Sequence, residues 1–167
     1  MAEQDNDPQR LAEQVAQAMG SRDRATQALG MEILAVKPGF ARVSMAVRAD
    51  MVNGHHTCHG GFLFTLADSA FAYACNSYNA NTVASACHID FLAPAQEGDV
   101  LVAQAEERSR SGRTGVYDVT VSNSQGTPIA LFRGKSYRIQ GEVIAGLQQA
   151  AHAEPLPSNE SRNSHDR

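Results

Sequence analysis

Asp68 stands in the middle of a run, Gly60 to Ser77, that is otherwise nearly all apolar, with Phe62, Leu63, Phe64, Leu66, Phe71 and Tyr73 among its members. A carboxylate is seldom buried without a partner, and aspartate is a poor residue for a helix interior. At helical spacing Thr65, Asp68, Ser69, Ala72 and Asn76 share one narrow polar face, on which Asp68 is the only charge. Two readings are open on this pattern. The carboxylate is held by a structural hydrogen bond or a buried arginine, or it works as a nucleophile or general base.

Cys58-His59-Gly60-Gly61 leads directly into this run. The first turn of a helix carries N–H groups without intrahelical partners, and its dipole favours negative charge. Glycine lets a substrate approach that backbone closely. The segment is therefore a candidate oxyanion hole; an ordinary glycine-containing helix start is the alternative. Gly60 and Asp68 are eight positions apart, roughly 12 Å along a helix axis. A reacting carbonyl has to lie ~3 Å from both nucleophile and oxyanion donors. If both groups act on one carbonyl, Gly60 of one copy must face Asp68 of another, and a symmetric dimer would carry two such sites.

Other constellations are weaker. His55, His56, Cys58 and His59 are metal-ligand types, but residues so crowded cannot easily surround one ion, and no second cluster completes the set. Neither a metal nor a redox cofactor is expected. Cys58 beside His59 is a poor nucleophilic dyad, because adjacent side chains seldom point at each other. Ser109 to Gly115 lacks the phosphate-loop pattern. Arg110, Arg113, Arg133 and Lys135 form a sparse basic set near expected strand ends. They are either a solvated surface or the holders of phosphates on a nucleotide-bearing substrate.

These residues need a scaffold. The 167-residue chain suits one domain, and its 43% apolar and 19% charged content suits a globular fold. A net charge of −4 argues against nucleic acid as partner. No segment reaches the ~18 consecutive apolar residues of a membrane span, and the polar N-terminus has no signal-peptide core. Cys58, Cys75 and Cys87 make an odd set that fits free thiols in a reducing compartment. The expected location is the cytoplasm, with no membrane partner.

Asp7-Pro8 reads as a helix start. Leu11, Val15, Ala18 and Met19 then share a face, Gly20 ends the helix, and a second turn runs from Arg22 to Leu29. From Met31 the pattern becomes β-rich. Met31–Val36 and Phe40–Val47 flank the turn Lys37-Pro38-Gly39. Asn53-Gly54 opens a loop to His59. Gly60–Ser77 reads as a buried helix, apolar on nearly every side. Four strands are expected at Thr82–Leu92, Val100–Arg108, Thr114–Asn123 and Pro128–Ile139, with turn signals between them. The implied fold is α+β: a mainly antiparallel sheet of about six strands around one central helix. The expected division is a helical segment over 1–29, the main domain over 30–141 and a disordered polar tail over 142–167.

At this point the sequence resembles a known family. Asn53-Gly54, Cys58-His59-Gly60-Gly61, Leu66-Ala67-Asp68 and Phe71-Ala72-Tyr73-Ala74-Cys75-Asn76-Ser77 are similar to the PaaI thioesterases, as are Ile89-Asp90-Phe91-Leu92, Gly115-Val116-Tyr117-Asp118 and Leu131-Phe132-Arg133-Gly134-Lys135-Ser136. The His-Gly-Gly and Ala-Asp elements mark hot-dog thioesterases broadly; the Phe-Ala-Tyr-Ala-Cys-Asn-Ser run is more specific. The resemblance implies a hot-dog fold, a homodimer with a continuous sheet, and commonly a homotetramer. It implies hydrolysis of acyl-CoA, with aryl and ring-hydroxylated phenylacetyl-CoA as characteristic substrates in phenylacetate degradation. It assigns Asp68 as catalytic carboxylate, Gly60 as oxyanion donor, and His59 and Asn53 as supporting residues. Phe64 and Phe71, beside Asp68, are the expected acyl-pocket residues. A dehydratase or hydratase of the same fold and a non-catalytic acyl-CoA-binding regulator are the alternatives.

Overall fold

A computed structural model describes residues 7–147; residues 1–6, and the expected tail from 148 onward, lie outside it. Helix α1 spans Pro8–Gly20, and the Asp7 side chain accepts from Gln9 N at 3.0 Å. A short α2, Arg24–Ala28, is capped by Asp23, which accepts from Ala25 N and Thr26 N. Aspartate suits this place because its oxygen satisfies N–H groups that the first turn leaves open.

Strands β1 (Glu32–Lys37) and β2 (Phe40–Ala46) form a hairpin whose turn carries Gly39 at φ 71°. One 3-10 turn, Ala49–Met51, follows. The long helix α3 runs Gly60–Asn76. Then come β3 (Ala80–Phe91), β4 (Val100–Ser111), β5 (Thr114–Ser122) and β6 (Pro128–Glu142). The six strands form one antiparallel sheet in the order β1-β2-β4-β5-β6-β3. α3 lies across it, which is the expected hot-dog arrangement. β6 reaches Glu142, and the Asn79 side chain holds the next residues through Ile144 N, Ile144 O and Leu147 O.

Leu63, Leu66, Ala67, Ala70, Phe71 and Ala74 of α3 bury against Val43, Met45, Leu101, Val119, Val121 and Phe132 of the sheet. Burial of this much apolar surface is the main stabilising term. Helix and sheet approach closely at Gly134, where an added Cβ would sit 2.8 Å from the Phe71 ring. α3 is not enclosed on every side within one chain: Phe62, Phe64, Thr65, Asp68, Ser69 and Ala72 stay half-buried or exposed. Helix α1 packs Leu11, Ala12, Val15 and Ala16 inward, beside β1 and α3.

The two sheet edges differ. β1 is flanked by α1. β3 is bare: Val83, Ala84, Ser85 and Ala86 are open to solvent, Val83 to 46% and Phe91 to 55%. A long exposed apolar edge is a template for another strand.

Candidate active site

Every polar member of the α3 stripe except Asp68 is satisfied within the fold. Thr65 Oγ1 donates to Gly61 O and Ser69 Oγ to Thr65 O, both at 2.8 Å. Asn76 donates to Ala72 O and Thr82 O and accepts from Thr82 N. Asp68 has no hydrogen bond or ion pair among the described residues. Burial alone pushes its carboxyl above the usual carboxylate range. The structural reading of Asp68, a carboxylate held by a buried arginine, therefore finds no such partner among the described residues.

Asp68 opens into a groove of about 630 Å³. α3 lines it with Phe71, Ala72, Cys75 and Asn76, and the bare edge of β3 lines it with Asn81, Thr82, Val83 and Ala84. Met19, Arg22 and Asp23 from the corner between α1 and α2, with Glu142 and Val143, complete it. A groove of this size suits a small ligand.

Gly60 opens elsewhere. Its groove, about 460 Å³, is lined by Thr57, Cys58, Leu63 and the segment Phe91 to Ala95. His59 caps α3, its Nδ1 accepting from Gly61 N at 3.0 Å. The Gly60 N–H has no acceptor among the described residues. Asn53 organises the loop that precedes this helix start. Its Oδ1 accepts from His55 N at 2.9 Å and from Thr57 N and Oγ1 at 3.3 Å, and Cys58 N donates to Ala95 O at 2.8 Å. Asn53, His59 and Gly60 thus form one group at the N-terminal end of α3. Asp68 and Phe71 form another, two turns on. The first meets the Phe91 end of β3, the second the Asn81–Ala84 end.

Comparison with known proteins decides the family. The thioesterase superfamily pattern matches residues 55–130, from the loop before α3 into β6. The acyl-coenzyme A thioesterase PaaI of Escherichia coli K12 is 54% identical over 130 residues, 78% of this chain and 93% of the relative. The chain belongs to the PaaI acyl-CoA thioesterases. A solved E. coli PaaI structure, from the phenylacetic acid degradation operon, superposes with a TM-score of 0.81 at 52% identity, covering 81% of this chain and 99% of that one. A variant of the phenylacetic acid degradation protein PaaI of Thermus thermophilus gives 0.68 at 43%, over 70% and 100%.

In this PaaI-type chain the remaining expected residues are spread over the molecule. Phe71 is core, 1% exposed, its ring edge-on to Tyr117 and tilted against Phe132. Phe64 is half-buried and packs edge-on to Phe132. The basic set divides. Arg110 and Arg113 lie at the β4–β5 hairpin, around a small hollow shared with Arg138. Arg110 stacks on Tyr78, 3.5 Å from the ring centre, and its Nε lies 3.6 Å from Glu107. Tyr117 donates to the same carboxylate at 2.7 Å. Burial and that carboxylate push the Tyr78 hydroxyl up to about 12. Arg133 and Lys135 are in the middle of β6 rather than near its ends, on the exposed face. Arg133 is bonded to Asp118 at 2.6 and 2.9 Å, which holds that carboxyl below its usual range.

The walls contributed by Met19, Arg22 and Asp23 were not anticipated from the sequence. Their only local signal is the Gly20 break followed by a second capping aspartate, which makes a corner but does not say what the corner faces. Among the described residues, no three His, Cys, Asp or Glu side chains converge as metal ligands would, and no helix is long and apolar enough to cross a membrane.

Proposed function

We propose that the chain hydrolyses aryl-acetyl-CoA, with ring-hydroxylated phenylacetyl-CoA as preferred substrate, as a cytoplasmic step of phenylacetate degradation. The observation that carries this reading is Asp68: a half-buried carboxylate without a partner among the described residues, facing a groove, in a chain of this family.

The site belongs to two copies. Within one copy, residues near 83 of β3 line the Asp68 groove and Phe91 lines the Gly60 groove. Antiparallel pairing of β3 with its own copy, centred close to Cys87, sets position 83 opposite position 91. The two half-sites then meet, and the exposed edge is covered. This pairing makes the homodimer, and dimers associate further into a homotetramer.

The chemistry needs few groups. The leaving thiolate has a conjugate acid of pKa ~8.5, so little acid assistance is required. The thioester oxygen takes the Gly60 N–H of the partner copy as its charge develops. Ionised Asp68 either attacks the carbonyl, giving an anhydride that water then opens, or draws a proton from an attacking water. His59 and Asn53 keep the Gly60 turn in place. Phe64 and Phe71 shape the acyl side, while Arg110, Arg113, Arg133 and Lys135 supply positive charge toward the coenzyme phosphates.

A thiol-release assay across an acyl-CoA panel tests the reading. The expected result is turnover, highest with hydroxyphenylacetyl-CoA. Binding without thiol release would make the protein a regulator, and hydration of an enoyl-CoA without hydrolysis would make it a hydratase.

A further inference from the structure

The Asp68 groove is walled in part by segments that lie far apart in sequence. Met19 and Arg22 stand at the corner between α1 and α2, and Val143 follows β6. Arg22 ties them together: its Nε donates to Ala18 O at 3.0 Å and its Nη2 to Val143 O at 3.1 Å. The wall is rich in polar groups, and each holds part of it in place. Asp23 caps α2, Asn76 is bonded to β3, and Asn81 donates to Gln140 O. Glu142 accepts from Gly146 N. These bonds fix the position of the wall, while Arg22, Asp23 and Glu142 keep further donor or acceptor sites open. The wall is therefore held in shape as well as polar.

We propose that the α1–α2 corner is a steric stop for the acyl group, with Met19 and the Arg22 latch setting the longest acyl chain the groove accepts. This rests on the groove being the acyl site of the thioesterase. Arg22 acts as a positioning residue, since it holds the corner against Val143. Met19, half-buried beside the groove, is the surface that the acyl end meets.

The test measures kcat/KM by thiol release from phenylacetyl-CoA and from straight-chain acyl-CoAs between hexanoyl and dodecanoyl. Wild type, Met19→Ala and Arg22→Ala are compared as full chains, with thermal melts on each. Wild type should lose activity steeply beyond one chain length. Both variants should move that fall to longer chains, raising the ratio of long-chain to phenylacetyl activity at least ~10-fold, the low end of what one methylene is worth in an apolar pocket. A general loss of fold would lower all substrates together, so the ratio separates the two effects. If Arg22→Ala does not fold, Met19→Ala decides alone. Active variants with the wild-type chain-length profile overturn the stop while leaving the thioesterase intact. A wild type that releases no thiol from any acyl-CoA overturns the thioesterase reading and the stop together.

Discussion

The carboxylate of Asp68, without a partner among the described residues, carries an energetic cost in the folded state. Burial raises its pKa above that of the unfolded chain. Its favourable contribution to stability is therefore present below the unfolded value and lost as pH rises through the folded one. Asp68→Asn removes a desolvated charge without leaving a bonded partner behind. The variant should melt at the same or a higher temperature than wild type at neutral pH, with the difference shrinking in acid. Its turnover should fall at least ~10²-fold, the low end for loss of a general base, while substrate binding changes little. In wild type, kcat/KM should rise with pH through the raised pKa of Asp68 and then level. Melts and steady-state rates on the same preparations check all of this; a large drop in melting temperature with near-normal turnover would make Asp68 structural.

At the scale of elements, α3 and β3 decide most of the outcome. Gly134 lets α3 approach the sheet, and Gly134→Ala would drive a Cβ into the buried Phe71 ring. The expected cost is about 1–3 kcal/mol from overpacking, read by denaturant unfolding. β3 carries a different prediction. If it pairs with its own copy near Cys87, mild oxidation or a short bis-maleimide should link two chains through Cys87, and Cys87→Ser should abolish the link. Cys58 and Cys75 are buried and do not compete. A fully active dimer that never links at this position would exclude the register. The elements themselves were legible because each has local punctuation: Asp7-Pro8 starts α1, Lys37-Pro38-Gly39 turns the first hairpin, and Gly60-Gly61 opens α3. The bareness of β3 was not legible, since its residues read like those of any strand; exposure depends on which neighbour the sheet order supplies. The same holds for Arg110. Its charge is visible in the sequence and Glu107 lies three residues before it on the same strand, but Tyr78 reaches it only through the packing of α3's end against β4.

At the scale of the whole molecule, the proposed site takes its carboxylate from one chain and its oxyanion donor from the other. The candidate residues were readable because Asp68 and the Gly60 turn break the pattern of the helix they share. The groove walls were not, because Met19, Arg22 and Val143 are brought together only by the complete fold. Complementation between two inactive variants tests the sharing most directly. Asp68→Asn removes the carboxylate. Gly60→Pro removes the N–H, and proline is tolerated at the first position of a helix. His59 before it already has the extended backbone that proline favours, with φ −62° and ψ 133°. A Cβ at position 60 would meet the tip of the Phe91 ring at 2.9 Å, so the ring must shift and dimer formation by the variant is checked with the tagged chains. Each variant alone should be nearly inactive with phenylacetyl-CoA. Equimolar variants, unfolded together and refolded, should recover about a quarter of wild-type activity, because half of the dimers are mixed and each mixed dimer holds one intact site. Mixed dimers that form, as seen with differently tagged chains, and still release no thiol would contradict the shared site.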